Sequence, residues 1–69
     1  MDDIKKLPLK ERFIKIYANL PSQTREEIIY ITEDKEKKPF TWNAVYIEVI
    51  NNTPLSEAVF SSLERLGII

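Results

Sequence analysis

Apolar and polar positions alternate in two different rhythms along this chain. From Pro8 onward apolar residues fall at Leu9, Phe13, Ile16, Tyr17 and Leu20, offsets 0, +4, +7, +8 and +11. A helix turning 100° per residue gathers these on one side. Pro8 suits a first helical turn, where its missing N–H would be unpaired anyway. Glu11 and Lys15 form a favourably oriented i,i+4 pair on the wet face. Pro21 stops the helix and pushes Leu20 toward extended backbone.

The middle of the chain changes rhythm. Ser22 or Thr24 can cap a second start, and Thr24-Arg25-Glu26-Glu27 has the capping-box form. Ile28-Ile29-Tyr30-Ile31-Thr32 is β-branched and aromatic, which favours a strand. A short helical turn over 22–27 and a strand over 28–32 follow. Residues 33–38 are all charged and read as a solvated turn. The strand at 28–32 then pairs with 38–41 as a hairpin, and Pro39 must sit at an edge or a ladder gap.

Helical rhythm returns at Trp42, Val45, Tyr46, Val49 and Ile50, with Thr41 as cap and Asn51-Asn52 as the stop. Thr53 caps a last helix and Pro54 takes its first position. Leu55, Ala58, Val59, Leu63 and Leu66 form its stripe. Gly67 is placed to end it, with Ile68 and Ile69 folding back. The predicted fold class is α+β, mainly helical: helix, short helical turn, β-hairpin, two C-terminal helices. An all-α four-helix domain is the alternative, if residues 22–35 form one helix. Residues 1–69 make a single domain, with 1–7 a flexible arm.

Composition narrows the chemistry. The 69 residues include no cysteine, no histidine and one glycine. That leaves no disulfide, no thiolate or imidazole metal ligand, no histidine base and no phosphate-cradling glycine loop. Ser22, Ser56, Ser61 and Ser62 have no histidine to activate them; Ser56 reads as a first-turn residue on the wet side. Glu26 and Glu27 point about 100° apart on a helix and do not converge on a metal. They are better placed as first-turn acids. Glu33-Asp34 lacks the alternating ligands and glycine of a calcium loop. We expect no enzyme, no cofactor, no metal and no small-molecule substrate. No apolar run reaches the roughly 18 residues of a membrane span, and the acidic start lacks the cationic region of a signal peptide, so a cytoplasmic location is expected. In that setting the Asn51-Asn52-Thr53 sequon is a chance match. Ten isoleucines, seven lysines and eight glutamates beside one glutamine suggest a thermophile, and with it an archaeon.

Three large apolar residues lie off their stripes: Ile14, Ile47 and Phe60. Either each helix packs on two sides and they belong to the core, or they form a patch for a protein partner or a second copy. Tyr30, on a strand, can face water as a contact residue. Trp42 is expected as a core anchor packed on the hairpin. The predicted function is therefore a small non-enzymatic protein-interaction module, as a homodimer or an accessory subunit, with Ile14, Ile47, Phe60 and Tyr30 as partner-binding residues.

The alternative is a small nucleic-acid-binding regulator. The segment 41–69, helix, tight turn, helix, closing in Ser-Leu-Glu-Arg-Leu-Gly-Ile-Ile, resembles the end of a recognition helix in winged helix-turn-helix domains. Lys35, Lys37, Lys38 and Arg65 would then meet phosphates. The net charge of −1 opposes this, and Arg65 is the one cation among residues 40–69. A second likeness is carried by Pro39-Phe40-Thr41-Trp42-Asn43, Glu48-Val49, Asn52-Thr53 and Leu66-Gly67-Ile68-Ile69. These residues resemble a group of small archaeal proteins of unknown function, in which an apolar strand leads through a tight turn into a Tyr/Phe-Thr-Trp-Asn element. That resemblance implies strand-then-helix over 28–50 and brings no activity.

Overall fold

A computed structural model describes residues 6–69. Most of the arm expected over 1–7 lies outside the described residues. In chain order the elements are α1 (Leu9–Ala18), a 3-10 turn (Thr24–Glu26), β1 (Ile28–Ile31), β2 (Pro39–Thr41), α2 (Trp42–Ile50) and α3 (Pro54–Arg65). This is the mainly helical α+β fold with one hairpin. Ile28-Ile29-Tyr30-Ile31 forms a strand and not a helix because β-branched and aromatic side chains suit a pleated, half-buried surface.

The hairpin is antiparallel, with Ile28 opposite Thr41, Tyr30 opposite Phe40 and Ile31 opposite Pro39. β1 uses one residue more than β2 between the first two pairs, so it carries a bulge near Ile29. Thr32 N–H donates to the Lys38 carbonyl at 3.0 Å. The next pair along, Ile31 with Pro39, is therefore of the non-hydrogen-bonded kind, where the missing proline N–H costs nothing.

The charged turn between the strands is ordered by Asp34. Its carboxylate accepts from the Thr32 hydroxyl (2.9 Å), Glu36 N–H (3.0 Å) and Lys37 N–H (3.1 Å). Lys37 takes the left-handed conformation that such a tight turn requires, at φ 47°. The Thr32 hydroxyl bond, followed by the Lys37 N–H, holds the Asp34 carboxyl below the usual carboxylate range. A lowered folded-state pKa stabilises the turn above the unfolded carboxylate range and stops doing so as pH falls through the folded value. Acidification is thus expected to shift and deprotect the Glu36 and Lys37 amides. Asp34→Asn should flatten that acid limb in an NMR titration, and an unchanged titration would refute the role.

Each helix boundary has its own device. Thr41 caps α2 by accepting from Ala44 N–H at 3.1 Å. Asn52 takes the left-handed turn after α2 at φ 53°. Gly67 stands at φ 78°, with its N–H on the Glu64 carbonyl (3.0 Å) and Ile68 N–H on Leu63 (2.9 Å). These two bonds make a Schellman close that turns Ile69 back into the core. Two expected caps work differently. Thr53 precedes α3, but its hydroxyl donates to the Glu48 carboxylate at 2.6 Å instead of capping. The Thr24–Glu27 capping box does not form, because only a single 3-10 turn follows.

The core is Phe13, Trp42, Val45, Val49, Val59, Leu63 and Ile69, one wall from each helix and a lid from the chain after Gly67. Phe13 lies at its centre. Its ring centroid is 5.4 Å from Trp42, 6.2 Å from Tyr17 and 6.2 Å from Phe60. Trp42 is the expected core anchor, though its ring stacks on α1. Its backbone N–H donates to the Glu27 carbonyl at 3.2 Å, and Ile29, Tyr30 and Phe40 of the hairpin pack against the core to which it belongs.

Four stripe assignments need correction, and the first is Ala58, which is exposed on α3. Ile50 of α2 and Leu66 at the end of α3 are exposed, and Ser56, expected on the wet side, is 4% exposed. On α3 the buried residues Ser56, Val59 and Leu63 define a face rotated roughly 60° from the expected stripe. Phe60, too large to leave in water, draws the face toward itself. Serine fills the adjoining narrow position, its hydroxyl satisfied by the Thr53 carbonyl at 2.6 Å. On α2 the apolar arc is wider than the core it meets, so Ile50 falls off the side.

Candidate partner-binding surface

The four residues expected to meet a partner do not share one environment. Ile14, Phe60 and Tyr30 are half-buried and packed against the core. Phe60 faces the Phe13 ring at a 55° tilt. Ile14 lines a shallow groove with Leu7, Glu11 and Lys15. Ile47 is 54% exposed, and its neighbour one turn on, Ile50, is exposed too.

A second concentration of exposed apolar groups lies along the hairpin. Ile28 (57%), Ile31 (54%) and Leu66 (64%) all stand open to solvent. They border one groove of about 340 Å³, whose floor and walls are the four residues of β1, Glu33, and Ser62 with Leu66 from α3. Tyr30 contributes here as part of a groove wall. No β2 residue takes part, so the groove follows the outer edge of β1. Sequence reasoning missed it because strand alternation assigns one face to the core, whereas the bulge and the short strand leave Ile28 and Ile31 both outside.

The residues of the nucleic-acid alternative are dispersed. Lys35, Lys37 and Lys38 stand exposed on the turn among Glu33, Asp34 and Glu36, and Lys38 pairs with Glu36 at 2.9 Å. Arg65 is exposed at the end of α3, a helix whose outer side also carries Glu57 and Glu64. A helix pair joined by a tight turn is present in α2 and α3. Its outer helix shows phosphates one cation against two acids.

A further cluster explains residues whose role the sequence did not announce. The Tyr17 ring stacks on Tyr46 at 4.3 Å with 6° between planes. The Arg25 guanidinium lies 4.4 Å from the Tyr17 ring centroid. Arg25 also donates to the Tyr17 carbonyl (3.1 Å) and the Ala18 carbonyl (3.2 Å), closing the C-terminal end of α1 where cations and donors are favoured. The Tyr17 hydroxyl donates to Asn43 at 2.6 Å. Within Thr41-Trp42-Asn43, then, Thr41 caps α2, Trp42 fills the core and Asn43 holds α1. This Thr-Trp-Asn element is a structural joint.

Among the described residues no three His, Cys, Asp or Glu side chains gather as a metal site, and no helix is long and apolar enough to cross a membrane. No protein-family model, no curated protein and no solved structure matches this chain.

Proposed function

We propose that the protein is a small non-enzymatic protein-interaction module that binds through the groove between β1 and the end of α3. The observation that carries this reading is the grouping of Ile28, Ile31 and Leu66 around one groove on an unpaired strand edge. Single exposed apolar residues are ordinary, but contiguous ones beside a polar rim mark contact surfaces. A chain this short also gains from added burial, since a 60-residue domain hides only about 60% of its unfolded surface.

A photo-crosslinking phenylalanine derivative placed at position 66 tests the reading in extract of the native cell. A discrete protein adduct is expected there and not at position 57, on the outer side of α3. The adduct mass separates a homodimer from an accessory complex. Absence of any adduct at 66, or equal labelling at 57, would refute it.

A further inference from the structure

Resting on that reading, we propose that the outer edge of β1 takes up an extended strand of a different protein, apolar along its middle and flanked by lysine or arginine. The backbone carries the first part of the argument. β2 occupies one edge of β1, and the sheet has no third strand among the described residues. Because Ile31 and Pro39 form a non-hydrogen-bonded pair, the N–H and C=O of Ile31 point away from β2. They open toward the groove that all four β1 residues line. Main-chain bonds to such an edge bind an added strand, and side-chain pockets select it. Ile28, Ile31 and Leu66 supply apolar contacts for alternate residues of that strand.

Charge chooses the occupant. Glu26 and Glu27 lie just before β1, and Glu33 and Asp34 just after it, all exposed. The neighbouring cations are partly committed: Arg25 is bound to Tyr17 and the end of α1, and Lys38 to Glu36. Lys35, Lys37 and Arg65 remain exposed, but the charged positions nearest β1 in the chain on either side are Glu26, Glu27, Glu33 and Asp34. An antiparallel pairing of β1 with a second copy fails on this pattern. Setting Ile28 opposite the copy's Ile31 puts Glu26 opposite its Glu33. Slipping by one residue in one direction puts Glu27 opposite Glu33 and Glu26 opposite Asp34, and slipping in the other sets Glu27 against the apolar Ile31. Like charges directly opposite destabilise a sheet pair. A strand with basic flanks meets the same acids as opposite charges.

The test is an NMR titration of the intact chain with two synthetic peptides, acetylated and amidated: Lys-Thr-Ile-Thr-Ile-Thr-Lys and its twin with glutamate at both ends. The lysine peptide is expected to shift the Ile28, Ile31 and Leu66 amides and to bind at least about tenfold more tightly than the twin at low salt, with the gap closing as salt is raised. The double variant Glu27→Lys, Glu33→Lys should reverse the preference. Equal binding of both peptides, or no shift at these amides, overturns the proposal. So does a concentration-dependent shift of the same amides without peptide, which would identify a second copy as the occupant. A crosslink at position 66 with no peptide binding would leave the interaction module standing and remove the strand. No crosslink and no peptide binding would remove both.

Discussion

Phe13→Ala is expected to leave the protein largely unfolded at room temperature. Phe13 is fully buried and stands among the rings of Trp42, Tyr17 and Phe60. Truncating a buried phenylalanine costs about 3–5 kcal/mol, because the lost transfer energy is joined by a cavity that neighbours fill only in part. At roughly 0.05–0.15 kcal/mol per residue, a 69-residue domain has about 3–10 kcal/mol in total. The two ranges overlap at the low end, so a single ring decides the fold. Phe13→Leu, which keeps most of the volume, should cost less than about 1.5 kcal/mol. Urea unfolding followed by circular dichroism measures both. A loss of under about 1 kcal/mol for alanine would show that the core does not centre on this ring.

The second large effect separates two leucines that the sequence treats alike. Leu63→Ala is expected to cost about 2–5 kcal/mol, and Leu66→Ala less than about 0.5 kcal/mol. Both belong to the apolar stripe read from spacing, one turn apart. Leu63 is fully buried, whereas Leu66 is 64% exposed beside the β1 groove. Comparable losses at the two positions would contradict the rotated face of α3. A small loss at Leu66 also makes it a suitable position for binding variants, since changes there alter the surface and spare the core.

The rotation of α3 shows where one-dimensional reading goes astray. Spacing gives Ala58 the same weight as a large side chain, although alanine buries little. Phe60 then stands as an outlier. In the folded protein Phe60 packs on Phe13, Ala58 is exposed, and Ser56 turns inward with its hydroxyl bonded to Thr53. The outlier was a sign that the stripe had been centred wrongly. Ile47 is different: it is off-stripe and does stay in water. Volume distinguishes the two cases, because a phenylalanine at the middle of a short helix has too much apolar area to leave uncovered.

The candidate surface was legible only in part. Tyr30 was identified as a contact residue and lines the groove, but of the strongest contributors Leu66 was assigned to a core stripe, and Ile28 and Ile31 were placed in a strand with no role at a surface. Strand propensity does not say which residues face outward, and the bulge near Ile29 breaks the alternation that would otherwise set it. The joint that Arg25, Tyr17 and Asn43 make carried no signal, since its bonds link separate elements that only the packing of α1 against α2 brings together.

By itself the sequence determined the order and kind of every element. Helical spacing, β-branched clustering, Pro8, Thr41, Pro54 and Gly67 act within a few residues, and local sterics and backbone hydrogen bonds do not wait for a partner. Only the tertiary structure decided which side of α2 and α3 turns inward, where β1 bulges, and which isoleucines stay outside. Those outcomes depend on competition between side chains for one small core. A stripe can say that a helix has a buried side; its centre is set by the shape of what it packs against.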